Sequence, residues 1–286
     1  MLGKKKKEVE QEPQFYRAPT GEHLRNYRVY YFSTAEKLLY FLGAFIVGAA
    51  VGLLFYGGLG KDEFGQRTVT TYILDIVVAL VCGFFAGKLF LPVRQKQLLE
   101  SRKKKLRRQF RDMLEALTTA LGAGKNVQDA FSSVEEDLKN QYEEGADILS
   151  ELTAINNGIA NGFILEKLLA DFGARSAIDD IQNFADVFEI TYRMGGNVKE
   201  TLRNTSEIIS DKMTVEEEIE TTVSGSKSEQ SIMLVMPVLL IGMIKLSSPE
   251  FASNFATSSG LIATTIGVVL FVISYFVGKK LLEIRV

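Results

Sequence analysis

Chemistry in this chain has few candidate residues, and their isolation excludes most of what they could do. There is one histidine, His23, and one cysteine, Cys82. A site of several histidines within the chain is impossible, and so is a Ser-His-Asp triad built anywhere except around His23, which sits in a polar N-terminal stretch. A lone thiol forms no intrachain disulfide, and Cys82 lies inside an apolar block, where it reads as a small buried side chain. Gly122-Ala123-Gly124-Lys125 faintly imitates a nucleotide loop. Thr119, however, stands where the first glycine of G-x-x-x-x-G-K-[ST] belongs, Asn126 where the hydroxyl belongs, and a helical pattern precedes it instead of a strand. Asp75 is the only acid well inside an apolar block, about one turn from its outer edge; it reads either as a partly hydrated carboxylate or as a proton relay. The densest acidic run, Glu216-Glu217-Glu218-Ile219-Glu220, would suit a divalent cation, a basic partner or a solvated helix face. No catalytic, cofactor or metal site is expected, and no nucleic-acid partner.

The elements around these residues are set by four apolar blocks. Residues 38–59 carry no charge and, at 1.5 Å per residue, extend about 33 Å, enough to cross a hydrocarbon core. Residues 72–91 extend about 30 Å, with Asp75 and Lys88 near the ends; Lys88 can snorkel. Residues 231–246 are shorter, contain Pro237 and end on Lys245. Residues 260–278 are again charge-free and pair with 231–246 as a hairpin across a polar loop. No cleavable signal peptide is expected, because the first apolar block begins near Leu38 after a polar lead. The loop 60–71 has only Lys61 and Arg67 as cations and the loop 247–259 has none. Lys4–Lys7, the stretch Arg94–Arg111, and Lys279, Lys280 and Arg285 flank the other ends. The positive-inside rule places both termini and residues 92–230 in the cytosol.

The expected organisation is therefore a charged, flexible tail over 1–36, a transmembrane hairpin over 37–91, a cytosolic helical domain over 92–230, a second hairpin over 231–278 and a tail over 279–286. The aromatic, basic run Tyr27–Phe32 reads as an interfacial anchor. In the domain, apolar residues recur at three and four: Phe110, Met113, Leu114, Leu117, Leu121, then Ile178, Ile181, Phe184, Ala185, Phe188, Tyr192. The spacing predicts helices near 96–121, 127–139, 146–157, 164–171, 176–193 and 197–222. The fold class is an all-α membrane protein, four transmembrane helices with a cytosolic six-helix bundle between the second and third.

One short pattern occurs twice. Gly124-Lys125-Asn126-Val127-Gln128-Asp129 matches Gly195-Gly196-Asn197-Val198-Lys199-Glu200, each between two amphipathic helices. The glycine suits a left-handed position closing one helix. The asparagine suits the N-cap of the next, and Asp129 or Glu200 can return a bond to the cap's backbone N–H. Chance likeness of two common turns is the competing explanation. In the spans, Gly48/Gly52 and Gly83/Gly87 have the GxxxG spacing that lets helices approach closely, although glycine is frequent in membrane helices generally.

Charge is segregated although the total is only −2. Residues 94–111 hold nine basic residues and one acid, whereas 112–230 hold nine basic and twenty-four acidic. Arg102, Lys103, Lys104, Lys105, Arg107 and Arg108 would face anionic headgroups or simply snorkel. The acidic remainder, Glu216, Glu217, Glu218 and Glu220 above all, would dock a basic partner or serve solubility.

Four stretches carry a family resemblance: Phe110–Gly124, Asn126–Phe131, Arg193–Leu202, and Glu218–Pro237 running into the third apolar block. Residues 110–246 resemble the type II secretion system F-domain family, and in particular the single-domain platform proteins of tight-adherence (Flp-type) pilus systems. The resemblance implies a six-helix cytosolic bundle and a non-enzymatic protein of the cytoplasmic (inner) membrane. It implies as partners a hexameric secretion or pilus ATPase, pilin-like subunits and membrane lipids. Relatives often have two such domains; one here implies pairing with a sister subunit or with a second copy. Relatives also tend to be basic before the third span, where this chain reads Val215-Glu216-Glu217-Glu218. A prepilin peptidase would need paired aspartates, and Asp75 has no second acid within the spans. A transporter would need several polar groups at mid-membrane. A membrane-anchored helical scaffold or sensor is the alternative.

Overall fold

A computed structural model describes residues 12–60, 66–248, 254–255 and 257–282. Lys4–Lys7, Lys61 and Arg285, six of the cations used for orientation, lie outside the described residues. The elements in chain order are β1 (Phe15–Arg17), β2 (His23–Arg25), α1 (Thr34–Tyr56), α2 (Val69–Gly122), α3 (Val127–Gln141), α4 (Asp147–Ala160), α5 (Leu165–Ser176), α6 (Asp179–Arg193), α7 (Val198–Ser247) and α8 (Ser258–Leu282). The chain divides into two compact units. One draws on Met1–Tyr31 and Gln95–Met213, the other on Phe32–Arg94 and Thr214–Val286.

The second unit holds the apolar segments. Among the described residues four helices are long and apolar enough to cross a membrane, α1, α2, α7 and α8, as in a multi-pass membrane protein. Glycine sets the approach of α1 to α2. A Cβ at Gly52 would lie 2.7 Å from Cys82 Cβ, one at Gly83 2.8 Å from the Phe45 ring, and one at Gly87 2.6 Å from the Phe41 ring. A Cβ at Gly48 would collide with Ala86 Cβ and stand 2.9 Å from the Cys82 carbonyl. All four glycines lie at this one contact, as small residues do where helix backbones come close. Where the connection leaves α1, the Asp75 carboxylate accepts the Gly58 N–H at 2.8 Å, and the Thr68 and Thr71 hydroxyls donate to the Gly60 carbonyl at 2.7 and 2.8 Å. Asp75 is thus a turn-binding carboxylate. The four spans border an apolar cavity of about 1420 Å3, lined among others by Gly43, Phe55, Phe90, Ile241, Gly267 and Phe271.

The first unit is a helical domain made by the later part of α2, α3 to α6 and the start of α7. The three-four periodicity places one stripe of each helix inward. Leu106, Phe110, Met113, Leu114 and Leu117 from α2 are fully buried, with Phe131 and Val134 of α3, Ile148 and Leu152 of α4, Phe172 of α5, Phe184 and Phe188 of α6 and Leu202 of α7. Phe110 meets Phe172 and Phe184 edge-on at 6.2 and 5.4 Å between centroids. Each such side chain contributes about 1.5–3 kcal/mol by leaving water.

Three expectations need correction. The separation expected between the span 72–91 and the helix near 96–121 is absent: α2 runs 54 residues through Pro92. Proline deletes one intrahelical bond, but an apolar span on one side and the buried Leu106–Leu117 face on the other keep the helix continuous. For the same reason α7 runs 50 residues from the helical domain through Pro237, not ending near 222. Finally, residues 12–31 of the expected flexible tail are folded. β1 and β2 pair antiparallel, Phe15 opposite Arg25 and Arg17 opposite His23, and Tyr27 after them is 1% exposed.

Candidate functional site

The repeated turn is the part of the sequence pattern that the fold brings together. Gly124 has φ +88° and Gly195 φ +66°, the left-handed conformation that favours glycine. In the first copy the Gly124 N–H donates to Leu121 O at 3.1 Å and the Lys125 N–H to Ala120 O at 3.3 Å. In the second, Gly195 donates to Tyr192 O at 3.4 Å and Gly196 to Thr191 O at 2.9 Å. Both are the paired closure of a Schellman motif. The next helix then starts alike. Asn126 Oδ1 accepts the Asp129 N–H at 2.8 Å, and Asn197 Oδ1 accepts the Glu200 N–H at 3.2 Å. The return bond differs from expectation. Asn126 Nδ2 donates to Asp129 Oδ2 at 2.6 Å, and Asn197 Nδ2 to Glu200 Oε2 at 3.1 Å, so the acid grips the cap's side-chain amide instead of its backbone N–H.

The two turns lie side by side. Between them is a cleft of about 500 Å3 with Leu121, Val127, Tyr192 and Val198 as apolar wall and Lys125, Gln128 and Lys199 at its edge. Tyr192 stacks on Phe188 at 5.5 Å, which joins the cleft wall to the core. The same α6 exposes Val187 and Ile190, and Met194 just past its end is exposed at the same helical spacing.

The second feature was not foreseen from sequence. Arg175 and Glu151 form a buried ion pair, Nη2 to Oε2 2.6 Å and Nη1 to Oε1 2.9 Å, with side chains 5% and 2% exposed. The Tyr27 hydroxyl donates to Glu151 Oε1 at 3.0 Å, and Asp171 accepts from Arg175 Nε at 2.7 Å. Burial, followed by the Glu151 charge, pushes the Tyr27 phenol far above its ordinary range and keeps the donor protonated. Burial alone would weaken the Arg175 charge, but Glu151 and Asp171 outweigh it and hold the guanidinium above its ordinary value. Tyr27, read from sequence as an interfacial anchor, is therefore a core residue of the helical domain. A sequence clue existed. Glu151 and Arg175 sit on the apolar stripes of neighbouring helices, beside Ile148, Leu152 and Ile155 and beside Leu168 and Phe172, where an unpaired charge would be prohibitive.

The expected lipid-facing basic stretch is split. Arg102 donates to Asp147 at 2.9 and 3.1 Å, and Arg107 lies 2.5 Å from Asp180, which Lys212 also reaches at 2.9 Å. Both arginines are turned to carboxylates of the helical domain. Lys104, Lys105 and Arg108 are exposed and Lys103 is half-buried. On α7, Glu217, Glu218 and Glu220 are exposed and Glu216 is half-buried. His23 is exposed on β2. Cys82, expected buried, is partly exposed against Gly52. Among the described residues no three His, Cys, Asp or Glu side chains gather as a metal site. No family model matches the chain, and neither a curated protein nor a solved structure matches it.

Proposed function

We propose that this protein is the inner-membrane assembly platform of a type II secretion or tight-adherence pilus system. In this reading the helical domain is cytosolic, as are both termini. It receives the motion of a secretion ATPase and passes it to pilin-like subunits in the membrane. The protein acts as a mechanical adaptor and not as an enzyme. The observation that carries the reading is the continuity of α2 and α7, 54 and 50 residues without interruption from helical domain into apolar span. Such helices join the helical domain to the spans through unbroken helical backbone, the kind of connection a mechanical adaptor needs. The capped turns add to this by closing each helical pair with satisfied backbone groups. The apolar cavity bordered by the four spans offers room for a hydrophobic segment of a client. With one helical domain per chain, a second copy or a sister subunit would complete the platform.

Co-purification of the detergent-solubilised full chain with the secretion ATPase of the same cell tests this. Association that weakens as salt is raised supports docking through the acidic surface, because exposed charges are screened beyond about 8 Å at physiological ionic strength. No association, together with normal filament output from a deletion strain, rejects the platform role and leaves a membrane-anchored scaffold or sensor.

A further inference from the structure

We infer that residues 12–31 form a tether that fixes the leading end of α1 to the helical domain. The last carbonyls of a helix lack intrahelical partners. At the end of α5 two of them are taken by this segment. The Tyr27 N–H donates to Arg175 O at 3.0 Å, and the Arg28 guanidinium donates twice to Ala174 O at 3.1 and 2.9 Å. The helix closes on Ala177 with φ +50°, a left-handed conformation that a non-glycine residue seldom takes, so the segment helps hold an unfavourable helix end.

The side chains add depth to this attachment. Arg175 Nη1 donates to the Arg25 carbonyl at 3.0 Å, Arg25 pairs with Asp147 at 3.0 Å, and the Tyr27 hydroxyl enters the Glu151–Arg175 pair. The final fixed point is Tyr30, whose carbonyl accepts from Gln95 Nε2 at 2.5 Å. From Tyr30 to the first residue of α1, Thr34, there are four residue steps, which extended chain covers in at most about 14 Å. The start of α1 is therefore on a short leash. An ordinary flexible tail would leave α1 attached to the helical domain only by way of the hairpin and α2.

The tether is a physical property of the chain and stands apart from the platform role; only its use in transmitting motion rests on that role. The test uses the full chain in lipid nanodiscs with Cys82 replaced by Ala. Spin labels at Lys37→Cys on α1 and Asp137→Cys on α3 report the distance distribution between the two. One variant inserts about six Gly and Ser residues between Tyr31 and Phe32, touching none of the bonded groups. A second, Tyr27→Ala with Arg28→Ala, releases the segment itself. Both variants are expected to broaden the distribution, and only the second should lose amide protection over 12–31. An unchanged distribution in the insertion variant overturns the tether, even where the second variant fails to fold. In cells the insertion should lower filament output about tenfold, the scale of a typical coupling energy, with ATPase co-purification unchanged. Broadening with full output keeps the tether and overturns its part in transmission, whereas loss of ATPase binding by the unmodified chain overturns the platform reading alone.

Discussion

Tyr27 and Glu151 stand 124 residues apart in the chain and meet at 3.0 Å, phenol oxygen to carboxylate oxygen, with neither side chain open to solvent. The pairing makes an N-terminal residue part of a core otherwise built from residues beyond 95. It also ranks the members of the network. Arg175→Met leaves the Glu151 carboxylate buried with only a phenol, and breaking a buried ion pair costs about 3–5 kcal/mol. Tyr27→Phe leaves both Arg175 bonds to Glu151 intact and removes one charged hydrogen bond, a loss of about 1.5–3 kcal/mol. Thermal unfolding of the two variants in the same detergent should show Arg175→Met as clearly the less stable. Equal losses would mean that the ion pair carries no more than the phenol bond.

Glu135 gives the domain a contribution that depends on pH. Burial raises its carboxyl, but bonds from Lys139, Asn156 and Thr153 prevail and hold it below the usual carboxylate range. The folded state thus binds a proton less readily than the unfolded chain. Stability from this group is present above the unfolded value of about 4.3 and is lost as pH falls through the lower folded value. Glu135→Gln should narrow the stability difference between pH 6 and acid relative to the parent. Parallel acid-unfolding curves for the two proteins would exclude this linkage.

The two asparagine caps should be nearly equivalent. Asn126→Ala and Asn197→Ala each delete an acceptor for a first-turn N–H, at about 1 kcal/mol. Asn→Asp at either position keeps that acceptor but places a second carboxylate beside Asp129 or Glu200, so it should fall between parent and alanine. Denaturant titration of single and double variants measures this. The turns border one cleft, so a double loss that departs from the sum by more than about 0.5 kcal/mol would show coupling across it.

How far the sequence could be read depended on whether the deciding interaction was local. The four spans follow from runs of apolar residues, and the inward faces of α2 and α6 from Phe110–Leu121 and Ile178–Tyr192, because burial imprints a period on neighbouring positions. The caps at Asn126 and Asn197 were legible for the same reason, since their partners lie three residues away. The folded state of residues 12–31 was not. β1 and β2 are three residues each, and Tyr27 finds Glu151 and Arg175 only in three dimensions. Arg102 and Arg107 illustrate a different limit. A basic run beside a span looks alike in sequence whether it meets phosphate or the carboxylates of Asp147 and Asp180. The helices expected near 96–121 and 197–222 were separated from the neighbouring spans on local composition, whereas α2 and α7 run unbroken through Pro92 and Pro237.

The glycine contact between α1 and α2 allows a prediction with its control on the opposing helix. At Gly87 a Cβ would lie 2.6 Å from the Phe41 ring and at Gly83 2.8 Å from Phe45, and each ring belongs to the opposing helix. Gly83→Leu and Gly87→Leu must push α1 away along the whole contact, because Gly48 and Gly52 sit against α2 in the same approach. At Gly43, by contrast, nothing lies within 4 Å of a Cβ, so a side chain there meets open space on α1. The doubly substituted Gly83→Leu, Gly87→Leu protein should lose the α1–α2 hairpin, seen as failed disulfide trapping between cysteines placed on α1 and α2. Gly43→Leu should trap like the parent. If filament assembly depends on this hairpin, output should vanish in the double variant. Normal trapping in the double variant would show that the approach of α1 to α2 does not need its glycines.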